Sequence, residues 1–383
     1  MTSRAAAYAL LVGNFLIGMS VVAPAGMVGP LSADLGVSVT SAALLLTFGA
    51  VVLCIGSPLA AWGGAALDRR LLLSLSLAGL ALSHVASALA PSLSGLMAVR
   101  IVAMAFAAVY TPQAAGAIAM IVPEKERAGA ISFIFAGWSL AAAAGLPIAA
   151  WFASEHGWRG VHWGLAAIGL VAAAGVALSV PSGLRGAAMS LKSWGGLFSN
   201  RLVLVLLSAT ILSACGQFVV FPFFGPLLGD LAGATPSQIA IAFAMFGIAG
   251  FIGNIAASRI VGVLGGVRTS LLFFAMMTIG AALWSATVGS IEFVFAASMV
   301  WGAGFMASNS MQQARLAGAA PALAAAAIAL NSSSLYVGQA AGSALGGVMF
   351  DGGFHRAMGW AATGAIMLAL LMIWWSGRLE RRR

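Results

Sequence analysis

The stretch GGAALDRRLLL, residues 63–73, sets the reading of the whole chain. An acid and two bases, Asp68, Arg69 and Arg70, stand side by side there between long runs of Leu, Ala, Val and Gly. Of the 383 residues, 62% are hydrophobic and only 7% are charged, whereas a soluble globular chain carries roughly a quarter charged residues. Such a chain cannot cover its own surface with polar groups, so lipid has to be the solvent for most of it. The charges at 68–70 then mark a place where the backbone leaves the hydrocarbon, in a tight turn between two spans.

A span needs about 20 mainly apolar residues. Breaking the chain at its charged and Pro/Gly-marked points by that measure gives about twelve segments. They run over 6–30, 40–62, 71–90, 93–120, 129–152 and 161–180, then 201–228, 237–259, 269–288, 291–316, 323–349 and 357–376. With the N-terminus inside, fifteen of the eighteen bases fall on that side, including Arg4, Arg69, Arg70, Lys125, Arg127, Lys192, Arg268 and Arg381 to Arg383. Arg159 and Arg356 fall outside, and Arg100 lies within a span. The acids show no such bias, and it is Lys/Arg placement that sets orientation. Both termini are therefore expected in the cytoplasm, on a multi-pass protein of the cell (inner) membrane.

The net charge of +9 does not point to nucleic acid, because the bases are spread through short loops and form no patch. Cys54 and Cys215 each sit in an apolar run; two thiols make neither a disulfide framework nor a zinc site. No metal and no cofactor is expected. The first apolar run is too long for a signal-peptide core and lacks a cleavage site, so it is expected to stay as the first span.

The chain also repeats itself. Gly64 and Gly262, Arg70 and Arg268, and Pro123 and Pro321 are each 198 residues apart; Gln113 and Gln312 are 199 apart, and Gly145 and Gly342 are 197 apart. Each pair holds the same place in the span count. An even number of spans per half gives both halves one orientation, a parallel repeat about an axis normal to the membrane. The expected organisation is a six-helix bundle over 1–180, a cytoplasmic linker over 181–200 and a second six-helix bundle over 201–383. The fold class is all-α, about twelve membrane helices in two parallel-repeat bundles around a central cavity.

At these residues the sequence resembles the major facilitator superfamily. GAALDRR is similar to the family's loop signature between its second and third helices, in a shortened form that lacks the second Gly and one further residue. Arg100, in LMAVRIVAMAF, matches the fourth-helix arginine of the proton-antiporter branch, without the Gln and Gly that often follow. GWSLAAAAGLPIAAWFASEHGWRG, 137–160, resembles the fifth-helix signature of twelve-helix drug, arabinose and purine-ribonucleoside exporters. Residues 311–347 resemble helices ten and eleven of that branch. The resemblance covers nearly the whole chain and implies a secondary transporter that works by alternating access, with a small-molecule substrate and protons as the coupling ion; nothing in the sequence demands more than a monomer in the bilayer.

It also implies that Asp68 faces the start of the eleventh helix as a latch between the halves. Arg69 and Arg70 could pair with Glu124 or Glu126. The plainer alternative is that all three loop charges, with Gly64, only fix topology. Arg100 is costly inside a span, about 2.5–3.5 kcal/mol by insertion scales, and such residues usually face a wet cavity or a partner; the alternative is snorkelling to the outer interface. Neutral polar residues at helical spacing, Asn309, Gln312 and Gln313, then Ser332, Tyr336, Gln339 and Ser343, with Asn14, Tyr110, Gln113, Gln217, Asn254 and Asn331, are candidates for a hydrogen-bonding cavity filled out by Trp138, Phe218 and Phe221. Each of them could equally glue helices together. Gly145 and Pro147 are read as packing and a kink in helix five.

A membrane-embedded carboxylate, the usual proton carrier in drug:proton antiporters, is missing. Asp34 and Glu292 come closest and look interfacial. His84 is the histidine placed well inside a span, while His156, His162 and His355 read as outer-loop or interface residues. The expected function is export of a small amphipathic molecule. An uncoupled or uptake facilitator is the alternative, and a membrane enzyme, for which no catalytic set is visible, a remote one.

Overall fold

The computed structural model describes residues 2–64, 66–185 and 196–381. The central part of the expected linker, with Lys192, lies outside the described residues, as do Arg382, Arg383 and the side chain of Lys125. Among the described residues there are twelve helical passes and no strand. We number them α1 (Thr2–Leu35), α2 (Val39–Gly63), α3 (Arg69–Ala88), α4 (Leu93–Ile121), α5 (Arg127–Leu140 continued by Leu146–His156) and α6 (Trp158–Ser179). In the second half, α7 joins Arg201–Val220 to Phe224–Ala232. Residues Pro236–Thr287 are one helical run broken only at Gly265 (φ 77°), which separates α8 from α9. At about 1.5 Å per residue a straight helix of that length would be more than twice as long as the ~30 Å hydrocarbon core is thick, so the break makes two spans. α10 (Ile291–Ala319), α11 (Ala324–Asp351) and α12 (His355–Glu380) complete the set.

Helix starts are set by short polar side chains that answer the free backbone N–H groups of the first turn. Ser38, Asp68, Ser92 and Asn200 cap α2, α3, α4 and α7, and Thr235 forms a reciprocal capping box with Gln238 at α8. Several spans differ from their expected limits. α1 runs from Thr2 straight through Pro24 and Pro30. α6 begins at Trp158, because Gly157 (φ 85°) makes the turn in a conformation that side chains disfavour. In α5 the turn Ala141–Gly145 is π-helical, with the Leu146 amide donating to the Ala141 carbonyl. Pro147 has no N–H for the Ala143 carbonyl, and the widened turn ahead of it takes up the mismatch.

The repeat is visible in local geometry. Pro123 and Pro321 each stand at the head of a single 3₁₀ turn, Glu124–Glu126 and Pro321–Leu323, leading into α5 and α11. Gly137 packs on the Leu11 carbonyl and Phe15 amide of α1, and Gly145 on Met19. Gly338, Gly342 and Gly346 lie on the carbonyls of Ile211, Cys215 and Val219 in α7. The small-residue stripes thus join α5 to α1 and α11 to α7, inside each bundle.

Between bundles the contact is uneven. α2 lies along α11, where Thr40 Oγ1 donates to Asp351 Oδ1 (2.6 Å), Thr47 Oγ1 to Ser343 Oγ (2.8 Å) and Ser333 Oγ to the Cys54 carbonyl (3.3 Å). α8 packs against the π-turn and the Leu146–His156 limb of α5 and scarcely touches the Arg127–Leu140 limb. α1 meets α7 at the 3₁₀ turn Phe221–Phe223 and the limb beyond it. Apart from Ser333–Cys54, which lies past the middle of both helices on the side of the termini, these contacts favour the end of the molecule opposite the termini. The bundles are drawn together at that end.

The two glycines at 64 and 262 offer a test of the packing. A Cβ on Gly64 would lie 2.7 Å from the Ala60 carbonyl and 2.8 Å from Gln113 Nε2, whereas one on Gly262 would meet nothing within 4 Å. Gly64→Ala is expected to destabilise the protein by about 1–3 kcal/mol, and Gly262→Ala to be neutral or stabilising by up to about 1 kcal/mol. Thermal unfolding in detergent checks the pair; equal effects would contradict the contacts at Gly64.

Candidate functional site

Most polar side chains inside the spans are spent on backbone carbonyls. Arg100 is buried at 6% exposure. Its guanidinium donates to the Leu45 carbonyl of α2 through Nε (3.1 Å), to the Ser20 carbonyl of α1 through Nη1, and to the Val21 carbonyl through Nη2 (3.3 Å). Ser20 stands four residues before Pro24, which has no N–H with which to close the helical hydrogen bond onto that carbonyl. Arg100 supplies the missing donor. Its placement is neither a cavity wall nor a snorkel: it holds α1, α2 and α4 together at a proline break. Tyr110 Oη reaches the Leu10 carbonyl at 3.3 Å, with Gly13 leaving room for its ring, and Gln113 Nε2 reaches the Ala60 carbonyl at 2.7 Å. These two bonds tie α4 to α1 and α2.

Two uncharged clusters differ from this pattern. In the first bundle, Trp138 Nε1 (α5) donates to Thr111 Oγ1 (α4) at 3.4 Å, and Thr111 donates to Asn14 Oδ1 (α1) at 3.0 Å. Asn14 is fully buried, and its Nδ2 has no partner. In the second bundle, Gln312 Nε2 (α10) donates to the Leu206 carbonyl (2.7 Å) and to Thr210 Oγ1 (3.1 Å) on α7. Thr210 donates to Asn331 Oδ1 (α11) at 2.7 Å, and Asn331 Nδ2 to Asn309 Oδ1 (α10) at 3.3 Å. Gln312 Oε1 and Ser308 Oγ are buried without partners beside a narrow gap that Thr210, Ser213, Phe305 and Asn309 also line. Thr111 and Asn309 are 198 residues apart, the offset of the repeat, so the clusters hold equivalent places in the two bundles. Thr111, Thr210 and Ser308 were not singled out in the sequence; a hydroxyl in a span is common enough that only its neighbours reveal it.

Gln217 and Phe221 border a second, tightly packed crevice with Phe224, Phe243, Phe246 and Trp301; Phe218 stacks at a tilt on Phe221 with centroids 5.4 Å apart. Gln217 Oε1 and Trp301 Nε1 are buried and unpartnered there. Tyr336 and Gln339 are buried on α11, with Gln339 Nε2 unpartnered, and Gln313 is half-buried on α10.

At the 63–73 turn, Asp68 Oδ1 accepts from the Leu71 amide (3.0 Å) and Oδ2 from the Gly183 amide beyond α6. These amides, Leu71 first, hold its carboxyl below the usual range. Asp68 therefore caps its own helix and pins the chain leaving α6. Arg69 Nη1 donates to the Gly64 carbonyl (3.3 Å), and among the described residues neither Arg69 nor Arg70 forms an ion pair with Glu124 or Glu126.

Of the proton-coupling candidates, Asp34 accepts from Trp158 Nε1 (2.9 Å) and pairs with Arg159, tying α1 to α6. Glu292 is exposed in the first turn of α10 and accepts from Ser290 Oγ (3.0 Å). His84 is buried, as expected. His162, expected at the outer interface, is buried too: its Nδ1 lies 3.0 Å from Nδ1 of His84, whose Nε2 lies 2.8 Å from Ser20 Oγ. Its position in the second turn of α6, next to Trp158 and Arg159, disguised it. Among the described residues no three His, Cys, Asp or Glu side chains converge as metal ligands would.

Twelve apolar helices in two like-oriented bundles, joined along one end and carrying uncharged polar clusters at equivalent inner positions, define a membrane transporter. A sequence profile of the Major Facilitator Superfamily matches residues 10–322, and the chain belongs to that family. It is 29% identical over 380 residues to the inner membrane transport protein YdhP of Escherichia coli (strain K12), covering 97% of this chain and 96% of that protein. It is 28% identical to the uncharacterized MFS-type transporter YtbD of Bacillus subtilis (strain 168), over 98% and 96% of the two chains. A chloramphenicol resistance protein of Streptomyces lividans is 30% identical over 262 residues, 66% of each chain. In fold the chain is similar to a bacterial homolog of the human lysosomal transporter Spinster, in an inward-facing and occupied conformation. The TM-score is 0.70 at 18% identity, covering 97% of this chain and 96% of that one.

The link between Arg100 and Pro24 yields a double-mutant prediction. Arg100→Met should cost about 1–3 kcal/mol by leaving buried carbonyls unanswered. In a Pro24→Ala background, where residue 24 again has an N–H for the Ser20 carbonyl, the same change should cost about 1 kcal/mol less. An equal cost in both backgrounds, measured by thermal or SDS unfolding, would show that Arg100 does not serve the proline break.

Proposed function

We propose that this transporter exports a small, neutral, partly polar molecule from the cell in exchange for protons, with both termini in the cytoplasm. The observation that carries the reading of the substrate is the lack of charge in both clusters. Asn14, Thr111, Trp138, Ser308, Asn309, Gln312 and Asn331 offer amides, hydroxyls and an indole, and Arg100, the charged group nearest in kind, spends its donors on carbonyls. A neutral amphipath can take the unspent Asn14 Nδ2, Gln312 Oε1 and Ser308 Oγ without the desolvation cost that an ion would bring. The bundles, 1–180 and 201–383, rock about the seam, which with the termini inside holds the outer end together and leaves the cytoplasmic end free to open. Lys/Arg placement supports that orientation, and the name of the Streptomyces lividans relative supports efflux.

Binding of probes to purified protein tests this. Neutral chloramphenicol is expected to raise the unfolding temperature and an organic anion such as benzoate is not; anion binding without neutral binding would contradict the uncharged-site reading. In proteoliposomes, reversing an imposed proton gradient should reverse the direction of net chloramphenicol movement. Movement that ignores the gradient would favour the uncoupled facilitator.

A further inference from the structure

We propose that His84 and His162 together form the proton-binding site of the transport cycle, with the proton entering on His162 Nε2 from the end opposite the termini. The inference rests on the proton-coupled reading above and supplies the residue that the missing carboxylate leaves open.

The hydrogen positions follow from the bonds. Ser20 Oγ donates its hydrogen to the Leu16 carbonyl at 2.7 Å, so its oxygen is an acceptor and His84 Nε2 carries the hydrogen that meets it. A neutral His84 then has a bare Nδ1, and the 3.0 Å contact requires His162 Nδ1 to carry the hydrogen between the rings. One lone pair is left over, on His162 Nε2. A proton added there makes His162 an imidazolium while every existing bond keeps its donor and acceptor. No bond has to break for the site to load.

The site is placed to act on the helix that matters. His162 lies in the second turn of α6, with Trp158 edge-on to its ring at 5.8 Å, and His84 lies one turn from the end of α3. Both ends point away from the termini. The charged group facing the pair is Arg100 from α4, bound to the carbonyl of the same Ser20 that His84 holds by its hydroxyl. On α1 the pair meets Ser20. Asp34 of α1 and Arg159 of α6 are taken up with each other and with Trp158, and His156 at the end of α5 stacks on Phe152. A loaded pair therefore sets a second cation against Arg100 with no carboxylate to balance it. The repulsion falls on the grip that pins α1 at Pro24, and α1 is the helix that reaches across to the 3₁₀ turn Phe221–Phe223. Proton binding thus disfavours the arrangement drawn together at this end, and the arrangement in turn holds the proton weakly.

His162→Asn separates titration from packing, because the Asn amide can still donate to His84 Nδ1 but cannot take up a proton. Spin labels on Glu155→Cys and Ser237→Cys, exposed at the ends of α5 and α8 away from the termini, report the distance between bundles once Cys54 and Cys215 are replaced by Ser. Between about pH 8 and about pH 5, where imidazoles titrate, the otherwise native protein should shift toward the longer distance. His162→Asn should unfold at the native temperature and lose that shift. A full shift in His162→Asn would overturn the pair as the site and leave proton coupling standing; no shift in the otherwise native protein would overturn both. If His162→Asn does not fold, nitrogen-15 spectra of histidine in the unmodified protein decide. A coupling across the shared Nδ1 hydrogen, with one ring becoming cationic on acidification, is expected, and two rings that neither share a hydrogen nor titrate would overturn the proposal.

Discussion

Lipid offers no hydrogen bonds, so every polar group that the chain carries into the bilayer has to be answered by another part of the chain. That constraint accounts for most of the side-chain bonds in the spans. Arg100, Tyr110, Gln113 and Gln312 each donate to a helix carbonyl on a different pass. Once these are set aside, the groups left unanswered become informative. Asn14 Nδ2, Gln312 Oε1 and Ser308 Oγ are buried in polar clusters at matching places in the two bundles. A transporter has to leave something unsatisfied where its cargo will sit, and neutral groups are the ones it can leave at small cost.

The two bundles share a pattern and divide the work. Pro24 and Pro222 are 198 residues apart, and so are Arg100 and Ser298. In the first bundle the proline leaves α1 helical and an arginine answers the freed carbonyl; in the second, the chain passes Pro222 in a 3₁₀ turn, and Ser298 Oγ is buried without a partner. The first bundle therefore holds the ionisable network of Arg100, Ser20, His84 and His162. The second holds the larger set of amides. Coupling between ion and cargo would then run through α1, which belongs to the first bundle and touches the second.

Much of the architecture was legible in the sequence because hydropathy and Lys/Arg placement act over whole spans, and because Gly64/Gly262 and Pro123/Pro321 repeat at one offset. The span limits were less so. Pro24 and Pro30 look like breaks, yet α1 continues through them; what permits this at Pro24 is a side chain 76 residues away, and no local pattern encodes that. The π-turn before Pro147 has the same origin, since a proline signals a mismatch without saying how the backbone will absorb it. At the site, amides were recognisable as candidates, but whether each is glue or unspent depends on one acceptor on another helix. Gln113 and Gln312 occupy equivalent places and each donates to a carbonyl, and the Gln312 oxygen is left buried and unpartnered beside Ser308. His162 was misplaced because Trp158 and Arg159 give its surroundings the look of an interface.

The central claim is that the bundles close at the end away from the termini and open in turn at either end. The pair Thr47 and Ser343, hydrogen-bonded at 2.8 Å across the seam, allows a direct measurement. Thr47→Cys and Ser343→Cys would be joined as a disulfide in a chain with Cys54 and Cys215 replaced, and the rate at which a maleimide reaches Asn309→Cys would be measured from each membrane face. With the disulfide intact, labelling is expected from the cytoplasmic face alone; after reduction, from both faces. Labelling from the opposite face while the disulfide holds, or from neither face in any condition, would contradict the alternating-access account.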